Sequence, residues 1–218
     1  GIKHTVAKTF EENIDGLHFY RTPQPTGLMA KLPVLNQWTV ISTLAKRLEE
    51  VVRIIKPDIL HAHSPVLNGM AALRVARRLN IPLVYEVRAF WEDAAVDHGS
   101  TKEDSMRYKA TRALETYVLR HVNAITTICT GLRNDIVGRG IPQDKVTVIP
   151  NAVDLEHFTV GGISDQKLVE ELGLNGKHVL GFIGSFYAYE GLPLLLQALP
   201  DILHTVPDAR ILLVGGGI

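Results

Sequence analysis

A single cysteine, Cys129, stands in 218 residues. A disulfide framework and a thiolate metal cluster are both excluded, and the chain fits a reducing compartment. Long apolar runs are missing as well. None approaches the roughly 18 residues needed to span a bilayer, and the opening GIKHTVAKTFEEN lacks the apolar core of a signal peptide. The expected location is the cytoplasm. There is no internal repeat, no low-complexity segment and no GxGxxG fingerprint. Histidines number nine, but only His61 and His63 are close neighbours, and two on one strand face are too few ligands for a metal claim. No metal and no cofactor is expected.

What the chain does have is enough apolar content to fold. At 46% hydrophobic residues it can bury a substantial core, as one large domain or one domain with part of another. The formal net charge of zero conceals an asymmetry. Residues 1–150 hold 20 Lys/Arg against 15 Asp/Glu, whereas residues 151–218 hold 3 against 8. The sign changes at a stretch that reads as a linker, which separates a basic first unit from an acidic second one; chance segregation of surface charge is the plainer account.

Asp15-Gly16 is a turn dipeptide leading into the strand LHFYRT, which stops at Pro23. No buried opening strand precedes it, so Gly1 reads as a cut with the first strand lost. Residues 27–37 are loop-like. Ile41, Leu44, Ala45, Leu48, Val51, Val52 and Ile55 then recur at helical spacing until Pro57, which predicts a helix of about four to five turns. DILHAHS (58–64) is a short strand, with Ser64 as N-cap and Pro65 in the first turn of a helix to Leu79. PLVYEV (82–87) is a strand, 89–102 a long loop, and a helix follows from Met106. AITTI (124–128) is a strand, 131–139 a short helix and VTVIP (146–150) a strand. Strands alternating with helices predict a parallel sheet whose ligands sit beyond the carboxyl ends of the strands. His63, Ser64 and Arg88 fall at such ends. For His63 the alternative is a satisfied polar residue, and for Arg88 an ion pair with Glu86, Glu92 or Asp93.

The second unit has a short helix (165–172), a strand from His178 to Ile183, the glycine-rich stretch GFIGSFYAYEG (181–191), an amphipathic run from Leu192 to Leu203, and ARILLVGGG. A buried strand feeding a glycine-rich turn and then a helix is how α/β proteins bring N–H groups up to a phosphate. Gly181, Gly184 and Gly191 read equally well as turn and close-packing glycines. Two strands and one helix are only the start of a Rossmann-like domain, so the chain reads as cut at both ends.

DILHAHSPVLNGMAALRVARRLNIPLVYEVRAFWED, VTVIPNAVD and VLGFIGSFYAYEGLPLLLQALP, in this order, resemble the family 4 retaining glycosyltransferases of GT-B fold. EVRAFWEDAAVDHG together with GSFYAYEGL is similar to the exosortase A-associated subgroup, linked to bacterial exopolysaccharide synthesis. The resemblance implies two Rossmann-like α/β domains: 1–155, on the acceptor side, and 156–218, the start of the nucleotide-sugar donor domain. PNAVD (150–154) would be the crossing. Arg88 lies where many relatives have a histidine near the reacting sugar, and Cys129 where many have a serine. Two positions depart from the pattern: Ser185 replaces the usual arginine after the loop glycine, and Glu190 the usual lysine. The E-x7-E motif of relatives would lie beyond Ile218.

The resemblance thus implies transfer of a sugar from a nucleotide-diphosphate sugar to a hydroxyl acceptor, lipid-linked or a glycan precursor, with retention of configuration. Arg88 and His63 are the expected catalytic residues. Gly184, Ser185, Phe186, Glu190, Gly191 and Asn151 are expected to bind the donor, and Ser64, Glu86, Trp91 and Cys129 to line the acceptor side. A sugar-nucleotide epimerase of the same fold and a non-catalytic sugar-nucleotide binding or scaffold module are the alternatives. The basic unit is expected to rest on an anionic membrane surface at the inner face, through Lys46, Arg47, Arg74, Arg77, Arg78, Lys109 and Arg112. Solvated helix faces explain the same charges. No nucleic-acid partner is expected, and residues 1–218 alone are expected to be inactive.

Overall fold

The computed structural model describes residues 10–27, 32, 35–158, 161–162 and 164–216. The chain divides into two compact units, one ending at Asn151 and the other beginning at Ala152.

The first unit opens with a hairpin, β1 (Glu11–Ile14) and β2 (Leu17–Tyr20), paired antiparallel. Asp15 and Gly16 both take positive φ, 51° and 82°, as a tight two-residue hairpin turn requires. Helix α1 (Leu35–Ile55) is longer than its apolar pattern predicts. Its first turn carries no core residue, so the period begins only at Ile41. Ile41, Ala45 and Val52 are its buried positions, and it packs on α2 (Val66–Leu79). The sheet follows as β3 (Leu60–His63), β4 (Leu83–Val87), β5 (Ala124–Thr127) and β6 (Val146–Val148), all parallel and in chain order. Helix α2 joins β3 to β4, and α5 (Thr130–Gly138) joins β5 to β6.

Two local expectations are corrected. Residues 89–102 are not an open loop: Trp91–Asp97 form a short helix α3, before α4 (Met106–His121). Seven residues give too short a window for periodicity to register. Ser64 is not the N-cap of α2 either. Pro65 holds that position with no side-chain cap, across a cis Ser64–Pro65 bond, and the Ser64 N–H instead donates to the Glu86 carbonyl at 2.8 Å.

The core lies along β4 and β5. Leu83, Tyr85 and Val87 alternate inward and are fully buried, together with Val118, Leu119 and Ile125. Gly69 on α2 faces them; a Cβ there would lie 2.8 Å from Val118 Cγ1 and 2.9 Å from the Tyr85 ring. A polar pair, Tyr85 and Glu115, is also sealed in there. Tyr85 Oη donates to Glu115 Oε1 at 2.7 Å. Burial pushes the Glu115 carboxyl up to about 7, against the lowering effect of that bond, and raises the Tyr85 hydroxyl further.

The second unit contains α6 (Gln166–Glu171), capped by Asp165 through the N–H groups of Lys167 and Leu168. Parallel strands β7 (His178–Ser185) and β8 (Ala209–Gly216) follow, joined by α7 (Leu192–Thr205). Two strands and one long helix leave apolar surface uncovered among the described residues: Val179, Leu180, Ile183, Leu194, Leu196 and Val214 are exposed.

Candidate functional site

At the carboxyl edge of the four-stranded sheet, neighbouring strands deliver polar side chains side by side. His63 ends β3 and Glu86 is its register partner on β4, so the two side chains leave the sheet on one face. His63 Nδ1 lies 3.6 Å from Glu86 Oε1. Arg88, one residue past β4, places Nη1 3.7 Å from the same oxygen, and its Nη2 donates to Asn151 Oδ1 at 2.9 Å. Ser64 Oγ accepts a long bond, 3.4 Å, from the Arg88 N–H. The structure therefore brings His63, Ser64, Glu86, Arg88 and Asn151 into one contiguous group. Asn151, expected on the donor side, here holds the guanidinium of the first unit. Trp91, the half-exposed first residue of α3, and Cys129, the exposed N-cap of α5, lie at the same edge.

Of the three acids offered as partners for Arg88, only Glu86 takes that role. Glu92 is buried and accepts from Arg139 Nη1 at 2.8 Å, and Asp93 accepts from Tyr108 Oη at 2.8 Å. Arg139 also donates to Asp135 at 2.7 Å and stacks 3.6 Å above the Phe90 ring. Burial opposes its charge, but Asp135 and Glu92 together outweigh that and raise its pKa. This lock fixes α5 against residues 90–92, the segment that follows Arg88.

His61 belongs to the group although two histidines on one strand face read as too few ligands for a site. It stacks on His63 with ring centroids 4.7 Å apart, and its Nε2 lies 3.2 Å from Glu86 Oε2. The i,i+2 spacing on a strand was the available signal; Glu86 as the third member follows only from the β3–β4 register.

In the second unit the glycine stretch differs from its expected form. Gly184 and Ser185 are not in a loop but end β7, paired with Gly215 and Gly216 of β8. The Phe186 N–H donates to the Gly216 carbonyl at 2.9 Å. Strand pairing therefore uses an amide that was expected to hold a diphosphate. The turn itself is 186–191, containing a 3-10 turn (Ala188–Glu190) that Gly191 closes at φ 72° as N-cap of α7. Pro193 in the first turn removes one donor there. Glu190, exposed, immediately precedes that N-cap, where a carboxylate interacts favourably with the helix.

The basic groups expected to face a membrane are partly neutralised at home. Arg47 pairs with Glu11 and Glu50, Arg78 with Glu49 and Lys109 with Asp104. Arg77 instead donates to Tyr117 Oη and lies over its ring. No helix among the described residues is long and apolar enough to cross a membrane.

Comparison with known proteins agrees with this architecture. The chain is 27% identical over 199 residues to a 2-deoxystreptamine glucosyltransferase of Streptomyces kanamyceticus, covering 88% of this chain and 49% of that protein. It is 24% identical over 204 residues to a GDP-mannose-dependent alpha-mannosyltransferase of Mycobacterium tuberculosis, covering 94% and 49%. The chain thus spans about half the length of these curated relatives. Among solved structures, the sucrose-phosphate synthase of Thermosynechococcus elongatus superposes with a TM-score of 0.68 at 14% identity, over 97% of this chain and 50% of that one. Anabaena HepE in complex with UDP does so with 0.64 at 16%, over 81% and 44%. These likenesses show the fold, α/β with Rossmann-like parallel sheets. The glycosyl transferase 4-like domain matches residues 4–152, more than half of the chain, and the chain belongs to that family.

Proposed function

We propose that this chain carries the acceptor-side domain and the first donor-side elements of a glycosyltransferase that moves a sugar from a nucleoside diphosphate sugar to a hydroxyl acceptor, with retention of configuration. The match of the glycosyl transferase 4-like domain over residues 4–152 carries this reading. It is supported by relatives named for glucosyl and mannosyl transfer and by structures of the same fold solved with UDP and with UDP-glucose.

In this reading Arg88 is the cationic group at the sheet edge. Asn151 and Glu86 fix its head, and its exposed donors are offered to a phosphate or acceptor oxygen. His63 and Ser64 border it, with Trp91 and Cys129 toward the acceptor. Transfer needs stabilisation of the departing diphosphate and of an oxocarbenium-like sugar, which fixed donors supply. In the second unit that role moves from the Gly184–Phe186 amides to the first turn of α7 behind Gly191, where intrahelical bonding leaves N–H groups unpaired. The Ser185 hydroxyl and Glu190 complete the donor side, with Glu190 turned toward a sugar hydroxyl. The acceptor is a lipid-linked or glycan hydroxyl, and the enzyme works on the cytoplasmic side of the membrane, in exopolysaccharide synthesis.

Incubating the whole protein with labelled nucleotide sugars and a lipid-linked acceptor extract tests this. Label in an acceptor is the expected result. An epimerised sugar nucleotide without any acceptor product, or binding without turnover, overturns it. The anomeric configuration of the product, read by NMR, decides retention.

A further inference from the structure

We propose that His61, His63 and Glu86 form a binding site for one divalent transition-metal ion of the zinc class, independent of whether the protein transfers sugar. The ligand atoms already converge. One nitrogen from each imidazole and a Glu86 oxygen all lie within 4.8 Å of one another, and the two histidine–carboxylate separations are 3.2 and 3.6 Å. Ligand atoms about 2 Å from a tetrahedral ion stand about 3.4 Å from each other; the shorter contact is to Glu86 Oε2 and the longer to Oε1, so modest side-chain rotations bring one oxygen and both nitrogens to that spacing. The backbone enforces the arrangement. His61 and His63 are two apart on β3 and share a face, while Glu86 is the parallel-strand partner of His63. No loop has to fold to assemble the set.

The chemistry selects the ion. Two imidazoles and one carboxylate suit zinc, cobalt or nickel rather than magnesium or calcium, which take oxygen ligands. Three protein ligands leave a coordination position, and the exposure of both histidines opens it to water or to a substrate oxygen. Arg88 is the charge nearest to Glu86, and it would oppose a cation. Its Nη2 keeps Asn151 Oδ1 at 2.9 Å as a second holder, so the carboxylate is free to turn to the ion without stranding the guanidinium.

Cobalt(II) is the probe, titrated into the chelator-stripped protein and followed by visible absorption and calorimetry. The expected result is one equivalent bound with tetrahedral-type bands, displaced by zinc. His61→Ala, His63→Ala and Glu86→Gln should each weaken binding by at least about 10- to 100-fold, the loss that removing even a partner of a ligand causes. His204→Ala should leave it unchanged. Absence of a stoichiometric site, or equal affinity in the His61→Ala/His63→Ala double variant, overturns the proposal. A second measurement needs no variant: zinc should protect His61 and His63, but not His204, from acylation by diethylpyrocarbonate, read by mass spectrometry. Equal labelling with and without zinc also overturns it.

Discussion

Arg88 and Glu115 lie at opposite extremes of burial, and burial decides how much each charge can contribute to stability. Arg88 is exposed, and its contact with Glu86 is a loose 3.7 Å; such pairs are worth about 0–1 kcal/mol. Arg88→Lys keeps the charge and loses the planar fork. In the whole protein it should leave the melting temperature within a degree or two and reduce the transfer rate by at least about tenfold, roughly 1.4 kcal/mol of transition-state stabilisation. A large fall in stability with a normal rate per folded molecule would make the ion pair purely structural. Glu115 is the opposite case, fully buried, with Tyr85 holding one oxygen and its Oε2 unpaired. Folded, it keeps its proton up to about pH 7; unfolded, it releases it near 4.5. Between those values the folded state binds more protons, so this group's contribution is fully present below about 4.5 and is lost as pH rises through about 7. The loss is on the order of 1 to 3 kcal/mol. Glu115→Gln removes the titration. Denaturant melts from pH 5 to 8 should show the variant gaining on the parent as pH rises, and a constant difference between the two refutes the assignment.

Among the elements, α2 meets β4 and α4 at Gly69, where a Cβ would find no room. Replacing a helical glycine by alanine normally gains roughly 1 kcal/mol of helix propensity. At Gly69 the new Cβ would press on Val118 Cγ1 at 2.8 Å and on the Tyr85 ring at 2.9 Å. Both neighbours are fully buried, and such overpacking costs about 1–3 kcal/mol. The steric cost should win: Gly69→Ala is expected to lower stability by about 1 kcal/mol in chemical denaturation, the net of those two effects. A more stable variant would mean that α2 stands further from the sheet. The lock of Glu92, Arg139 and Phe90 works at the same scale, tying α3 to the end of α5 beside the residue that leaves β4.

For the whole molecule, the charge asymmetry between residues 1–150 and 151–218 is the property that no single element carries. Glu11, Glu49, Glu50 and Asp104 hold Arg47, Arg78 and Lys109 in ion pairs, so the proposed contact with an anionic membrane would rest mainly on Lys46, Arg74, Arg77 and Arg112. Each basic group near an anionic surface contributes about 1 kcal/mol, screened by salt. Flotation should therefore recover the protein on anionic vesicles at low salt and lose it as salt rises; equal recovery on neutral vesicles would show that these are solvated helix faces. The alternation of strand and helix, the parallel sheet and the edge where polar residues gather were all legible in the sequence, because apolar periodicity and breaker residues are local signals. So was the turn at Asp15-Gly16, whose residues tolerate positive φ, but strand β1 before it was not, and only its pairing with β2 makes the turn a hairpin. Short elements escaped: α3 is too brief to show a period, and β7 runs on through Gly184 and Ser185 because β8 is there to pair with them. The site divides along the same line. His63 and Arg88 are read from strand ends alone, but strand register joins Glu86 to His61 and His63, and the fold of the first unit brings Asn151 to Arg88 across 63 positions of chain. Sequence fixes what each residue prefers locally; only packing decides which distant residue satisfies it, because a buried or paired polar group takes the partner that the tertiary fold places within hydrogen-bond reach.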